Sequence, residues 1–526
     1  MLKVRVVEWS AIRAMSFYKN VIKTKKSPKK SHIGEPLLTC RRPEFNLYRG
    51  DKIEENAKFG SIPLTSDGWH HYKSKGDFFI IHPHHSEEDI TRKPEYNQPF
   101  ETFNLYPELL TNLSGRLNMP RTTFIQHTAI PKILANQHTL IAAETGCGKT
   151  IAYLLPIIQN VLKRKRTINT ESTTEFNTPK VLIITPSREL TMQIGDVCED
   201  LCHGLELKTK VLIGGHTKSI MANPPIEEID ILVASIGALS KLITTNIYRM
   251  HEVCHVVLDE ADTLLDDSFQ DKLQYILRRF PFHKNVSRRN HDEVATQLVL
   301  ASATMPTNVS ESLQMIIDTE TIHEAVSPYL HRVMPNITQK FIRIRKAQRP
   351  IELLDLVRKD IDKKRPVIVF SNKKTTSDFV SMFLNDHDID AISMNNSILE
   401  KIRQQQFRKF QSGQVNILST TDLASRGLDT KRACHVINFE FPMYISDYIH
   451  RCGRIGRYTS ATNCQVTNFI SSMHQLPLVR KIEHAVRTKG TLPNVNANIN
   501  KILFDKHVKE AEKEQKELIN ALENGS

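Results

Sequence analysis

At 526 residues the chain is too long for one ordinary core, and its 40% hydrophobic content includes no apolar run long enough to span a bilayer, which argues against membrane insertion. The net charge of +13 is unevenly placed, because residues 1–34 carry nine Lys/Arg against Glu8, a balance of +8 that leaves +5 for the rest. Such a body excludes nucleic-acid binding by an overall positive field, so any such site must come from local placement of charge.

The leader is poor in acids and mixes its basic residues with Leu2, Val4, Val6, Val7, Trp9, Ile12, Met15 and Phe17. That is the character of a mitochondrial transit segment, and it predicts a matrix location. The competing reading is a nuclear or nucleolar basic patch at Lys23–Lys30, or an RNA-binding arm. Without a sustained apolar stretch it does not fit a secretory signal. Residues 35–95 are punctuated by Pro and Gly, show little periodicity and are expected to form an irregular arm. His70, His71, His82, His84 and His85 lack a companion Cys or acidic array and read as polar loop. The eight cysteines contain no Cys-x-x-Cys pair, so neither a disulfide framework nor a zinc ribbon is indicated.

From about residue 138, short apolar β-rich runs alternate with helical stretches. The runs are 138–143, 180–185, 209–213, 230–234, 254–259 and 297–301, then 366–370, 391–394, 415–419, 434–439 and 465–469. This alternation predicts an α/β chain with two parallel sheets, each covered by helices on both faces. The expected divisions are a first domain over 96–330, a linker over 331–340, a second domain over 341–490 and a tail over 491–526. Polar inserts at 163–179 and 281–296 read as surface loops, and the charges of 505–526 as a solvated helix.

Two segments of the first domain carry chemistry. Ala143-Glu144-Thr145-Gly146-Cys147-Gly148-Lys149-Thr150 lies between an apolar strand and a helix start. Its glycines let backbone N–H groups curl toward phosphate oxygens at a helix N-terminus, Lys149 would reach the β- and γ-phosphates, and the Thr150 hydroxyl would ligate magnesium. Asp259-Glu260-Ala261-Asp262 ends the apolar run Cys254–Leu258, at the sheet edge where open α/β folds bind ligands. Two such carboxylates suit a hydrated magnesium ion and an activated water. In the second domain, Tyr448–Arg457 sets Arg451, Arg454 and Arg457 in a Gly-punctuated segment. Arginine binds phosphate bidentately and stabilises phosphoryl transfer when delivered across an interface.

Together with Pro186-Ser187-Arg188-Glu189-Leu190, Gly214-Gly215, Ser302-Ala303-Thr304, Val369-Phe370-Ser371-Asn372 and Thr421–Asp429, these motifs resemble, in order, those of the DEAD-box RNA helicases. The resemblance covers roughly residues 100–490 and implies two tandem RecA-like domains that use ATP and Mg2+ and act on RNA. Within the family the chain most resembles the animal mitochondrial branch associated with large-subunit ribosomal RNA, on Arg41–Asn46, Asp67-Gly68-Trp69 and Leu258–Ser268. That finer likeness implies ribosomal RNA and ribosome-assembly proteins as partners of a monomeric chain.

By the same resemblance, Gln126 recognises adenine and Phe100 stacks on it, while Asp429 contacts the nucleotide from the second domain. Asp259 holds magnesium through water, Glu260 polarises the attacking water, and Arg454 and Arg457 are arginine fingers. Asp262, Ser302, Thr304 and His450 couple hydrolysis to RNA, and Pro186, Arg188, Gly215, Arg403 and Thr421 lie along the RNA backbone. Three positions depart from the family pattern. Thr122 replaces a Pro and is expected to loosen the adenine-motif turn. Ser235-Ile236-Gly237-Ala238 lacks an RNA-contacting Arg at Ala238, and Glu400-Lys401-Ile402-Arg403 alters a Gln-x-x-Arg element. The expectation is normal ATP chemistry with a weaker RNA grip. Its rivals are an ATP-gated RNA clamp that unwinds little and a DNA-directed ATPase of related fold.

Overall fold

The computed structural model describes residues 34–51, 62–83, 93–167, 175–215, 217–265, 267–282, 295–305, 313–314, 316–395, 397–422, 430, 432–456, 464–493 and 495. The basic leader, Asp429, Arg457 and the 505–526 tail therefore lie outside the described residues. Among the described residues, no helix is long and apolar enough to cross a membrane.

Three strands precede the predicted sheets: β1 (Pro36–Cys40), β2 (Leu47–Tyr48) and β3 (Phe78–Ile81). The first lobe contributes β4 (Thr139–Ala142), β5 (Val181–Thr185), β6 (Thr209–Leu212), β7 (Ile231–Ser235), β8 (His255–Asp259), β9 (Gln297–Ser302) and β10 (His323–Val326). They form a parallel sheet in the order β10-β4-β9-β8-β5-β7-β6. The second lobe contributes β11 (Thr338–Arg343), β12 (Val367–Ser371), β13 (Ala391–Met394), β14 (Ile417–Thr421), β15 (His435–Asn438) and β16 (Gln465–Ile470). β4, β5, β7, β8 and β9 are buried along their whole length, as a sheet covered by helices on both faces requires.

The apolar runs all become strands, but the pattern missed β10 and β11. β10 is the edge of its sheet and buries only Ala325 fully, so its sequence His-Glu-Ala-Val carries no apolar run. β11 alternates Thr-Gln-Lys-Phe-Ile-Arg and starts inside the segment read as linker.

Residues 35–95 correct the expectation of an irregular arm. β3 pairs antiparallel with β11, and β1 with both β3 and β2, so the segment extends the second sheet to the order β13-β14-β12-β15-β16-β11-β3-β1-β2. Phe79 stacks on Phe341 with ring centroids 4.6 Å apart. Trp69 is fully buried, and its indole N–H donates to Asp77 Oδ2 at 2.9 Å. The Glu483 carboxylate, on the helix Leu476–Arg487, accepts the backbone N–H groups of Thr65 (2.7 Å) and Ser66 (2.9 Å) and is paired with Arg487. The strands are short, and β11, which joins β3 to the sheet, lies beyond the whole first lobe, so no local periodicity announces them.

Candidate active site

Between β4 and the helix Lys149–Thr167 the chain turns through two glycines with left-handed backbone, Gly146 at φ +80° and Gly148 at φ +92°. At Gly148 a Cβ would stand 2.4 Å from Gln126 Nε2, so close approach as well as conformation requires glycine. The helix Phe124–Leu134 braces the loop from outside: Thr123 Oγ1 donates to the Cys147 carbonyl (2.7 Å) and Gln126 Nε2 to that of Gly148 (3.2 Å). Lys149 Nζ donates to the carbonyls of Ala143 (2.6 Å) and Glu144 (2.9 Å), which keeps the ammonium within the curve of the loop.

Gln126 is fully buried, and its Oε1 accepts the Thr123 N–H at 2.9 Å in a capping box. Its amide thus ties the helix cap to the phosphate loop. Phe100, 2% exposed, lies in the apolar core of the first lobe. The turn before Gln126 is not loosened by Thr122. The Thr122 hydroxyl donates to the Tyr96 carbonyl (2.7 Å) and accepts the Gln98 N–H (3.0 Å), which replaces the ring constraint of proline with hydrogen bonds.

Asp259 closes β8, where its Oδ2 accepts the Tyr153 hydroxyl (2.8 Å) and its Oδ1 the Glu260 N–H (2.8 Å). Burial pushes the Asp259 carboxyl up to about 6, aided by the charge of Glu260 and opposed by the Tyr153 hydrogen bond and Lys149. Burial together with Asp259 also pushes the Tyr153 phenol well above its ordinary range, so it stays a donor. Glu260 has a left-handed backbone, φ +51°, which is uncommon for a residue with a Cβ. Its Oε2 is buried without a hydrogen-bond partner.

The donor set at this sheet edge fits magnesium. The Thr150 hydroxyl and the Asp259 carboxylate are hard oxygen donors. A buried carboxyl held near 6 is one whose ionised form a cation would favour.

Asp262 joins the two lobes. Its Oδ2 accepts Thr304 Oγ1 at 2.7 Å from the first lobe and lies 3.7 Å from His450 Nε2 of the second. Burial opposes its charge, but hydrogen bonds and charge from His450, with the hydroxyls of Thr304 and Ser302, hold the carboxyl well below the usual range. Ser302 Oγ also accepts the Thr304 N–H at 3.2 Å. Nearby, a Cβ on Gly453 would fall 1.6 Å from Thr145 Oγ1, so the arginine segment of the second lobe presses its backbone against the phosphate loop. Arg454, 5% exposed, donates from Nε to the His450 carbonyl at 3.1 Å.

The residues expected along the RNA path are spread over both lobes. Pro186 and Arg188 follow β5, and a Cβ on Gly214 would sit 2.7 Å from Arg188 Nη2, so the guanidinium lies against the glycine backbone beside Gly215. Gly215 is exposed at φ +100°. Thr421 closes β14 in the second lobe. Arg403, on the helix Glu400–Ser412, makes a 2.5 Å ion pair with Glu189 of the first lobe, so it joins the lobes directly. Ala238 is 1% exposed and packs into the core, and no cation is presented there.

Sequence reasoning gave no role to Tyr153 or Glu189, and took Arg451 only as one of three arginines suited to phosphate. Arg451, 1% exposed, clasps Asp422 with Nε at 2.5 Å and Nη2 at 2.6 Å, and also bonds Asn438, Asn372 and the Glu440 carbonyl. It anchors the segment that carries His450 and Arg454. The clue was the arginine within Tyr448–Arg457, but its acidic partner lies in a different motif.

Comparison with known proteins identifies the family. Residues 123–312 match the DEAD/DEAH box helicase family and residues 346–459 the helicase conserved C-terminal domain. The chain is 34% identical to the Mus musculus protein described as "Probable ATP-dependent RNA helicase DDX28" and 32% identical to its Homo sapiens counterpart. Each alignment runs over 477 residues, 89% of this chain and 87% of the relative. Among solved structures, Mss116p bound to ssRNA and AMP-PNP aligns with TM-score 0.63 at 24% identity, over 77% of this chain and 80% of that one. S. cerevisiae Dbp5 bound to RNA and ADP BeF3 aligns with TM-score 0.59 at 22% identity, over 73% and 92%. These two likenesses establish tandem RecA-like domains. With its ordered motifs and its relatives, the chain belongs to the DEAD-box family of ATP-dependent RNA helicases.

Proposed function

We propose that this helicase hydrolyses ATP in the cleft between its lobes to remodel short RNA duplexes or RNA–protein complexes during assembly of the mitochondrial large ribosomal subunit. The observation that carries the catalytic part is Asp262, which takes Thr304 from one lobe and His450 from the other. One carboxylate thereby links the nucleotide side to the arginine segment.

In this reading the Ala143–Thr150 loop binds the phosphates through its backbone N–H groups and Lys149. Thr150 and Asp259 would hold Mg2+, which would offset phosphate charge. Tyr153 fixes the Asp259 carboxylate by its 2.8 Å hydrogen bond. The unpartnered Glu260 Oε2 accepts a proton from the attacking water. Arg454 and Arg457 stabilise the transferring charge from the second lobe, Asp429 contacts the nucleotide, and Gln126 and Phe100 select adenine. RNA lies across both lobes against Pro186, Arg188, Gly215, Arg403 and Thr421. Contacts there fall on phosphates and 2′-hydroxyls, so binding depends little on sequence.

The matrix location and the ribosomal target are supported by the acid-poor basic leader and by the motifs that resemble the mitochondrial branch. Partners are ribosomal RNA and assembly proteins, and the chain acts as a monomer. The absence of a cation at Ala238 favours a second reading, an ATP-gated clamp that holds RNA and unwinds little.

Lys149→Ala tests the phosphate site and Glu260→Gln the hydrolytic one. Lys149→Ala should abolish ATP-dependent unwinding, and Glu260→Gln should lower RNA-stimulated turnover by about 100-fold or more. Unwinding unchanged in Lys149→Ala would overturn the phosphate assignment. RNA remodelling that survives Glu260→Gln would favour the clamp.

A further inference from the structure

The segment between the lobes is more than a tether. It starts at the phosphate-loop strand, where the Ser327 N–H donates to the Ala142 carbonyl at 2.8 Å and continues the pairing of β10 with β4. It then passes the Ser302-Ala303-Thr304 segment, where His331 Nε2 accepts the Met305 N–H at 2.9 Å. The same residue turns to the second lobe, since its carbonyl accepts at 2.7 Å the N–H of Leu492, which packs in that lobe's core. Five residues on, Asn336 Nδ2 donates to the carbonyl of Gly456 at 2.6 Å, within the arginine segment. A Cβ on Gly456 would lie 2.6 Å from Ile337 Cδ1, so the contact is close as well as polar.

We propose that residues 327–337 form a strap that sets the register between the first-lobe coupling segment and the second-lobe arginine segment, with His331 and Asn336 as positioning residues. The idea rests on the roles given above to Ser302, Thr304 and Arg454.

Two features mark the strap as built for this task. His331 holds a left-handed backbone at φ +60°, a conformation retained by residues other than glycine where surrounding contacts over-determine it. Burial also holds its imidazole below the ordinary range, which keeps Nε2 an acceptor for Met305. Each end of the strap grips backbone, so it constrains where a segment lies and leaves the catalytic side chains unencumbered. Closure of the lobes and placement of the arginine segment then occur together, because one short run of chain is fastened to both.

The test is steady-state ATPase kinetics with saturating single-stranded RNA on the full chain, for His331→Leu, His331→Gln, Asn336→Ala and the double variant His331→Leu/Asn336→Ala. Leucine removes the acceptor, whereas the glutamine carbonyl restores one. Loss of one positioning hydrogen bond should lower kcat about 10-fold in His331→Leu and about 3-fold in Asn336→Ala, while KM for ATP stays within about 2-fold. His331→Gln should recover most of the loss, and the double variant should fall by less than the product of the single losses. If wild-type turnover responds to RNA but both single variants keep wild-type kcat, the strap is wrong and the catalytic reading stands. The strap is equally wrong if His331→Gln is as impaired as His331→Leu. If the wild type shows no RNA stimulation, the underlying reading fails and the strap with it. Asn336→Ala alters an exposed side chain and carries the test should His331→Leu fold poorly.

Discussion

Gly453 and Thr145 meet across the cleft so closely that a Cβ on Gly453 would stand 1.6 Å from Thr145 Oγ1. A backbone atom of the arginine segment therefore rests on the phosphate loop, and only glycine leaves room for it. Gly453→Ala should keep both lobes folded but hold them apart. Displacement of about 1 Å at a reacting centre costs on the order of 100-fold in turnover. The expected outcome is that loss in RNA-stimulated ATPase with an unchanged melting profile.

The Glu189–Arg403 ion pair is another direct bridge between the lobes, and neither side chain is fully exposed. Glu189→Arg should weaken closure by about 1–3 kcal/mol, read as a higher RNA concentration for half-maximal ATPase. Glu189→Arg combined with Arg403→Glu should restore part of that loss. A double-mutant cycle measures the pair directly, and strict additivity would show that the pair does not act across the cleft.

Asp259 makes a pH prediction. Its carboxyl is raised to about 6, from an unfolded value of about 4, so the folded chain holds this proton more tightly than the unfolded one. Its contribution to stability is therefore present at low pH and is lost as pH rises through that window. A divalent cation favours the ionised form, so Mg2+ with ATP should raise Tm more at about pH 7.5 than at about pH 5. Differential scanning fluorimetry at the two pH values checks this, and equal shifts would remove Asp259 from the metal site.

The N-terminal strands are part of the second lobe, with Trp69 at their centre. Trp69→Ala should destabilise that lobe by about 3–5 kcal/mol, because a large fully buried ring leaves a cavity. Its indole also caps Asp77, whose partner is then Arg42 at 3.3 Å. Urea unfolding followed by hydrogen exchange should show early loss of protection in β3 and β11. Loss confined to the first lobe would contradict this placement.

What could be read from sequence was whatever is encoded over a few neighbouring residues. The run Cys254–Leu258 followed by Asp259 and Glu260 declares a buried strand with carboxylates at its end, and β8 is that strand. The two glycines of Ala143–Thr150 declare a turn, and both are left-handed. Contacts between distant segments left no such trace. The ion pair of Arg403 with Glu189 left no trace because its two residues lie in different lobes. Thr122 looked like a loosened turn because its hydrogen bonds run to Tyr96 and Gln98. β1 to β3 looked irregular because they are short and the strand that receives β3, β11, is itself half polar.

On the proposed reading, Asp259 and Glu260 act when RNA brings the second lobe onto them. Steady-state ATP hydrolysis with no nucleic acid, with single-stranded RNA and with single-stranded DNA of equal length tests it most directly. Marked stimulation by RNA, little by DNA, and loss of the stimulated rate in Glu260→Gln are expected. A rate indifferent to RNA, or stimulated more by DNA, would contradict it.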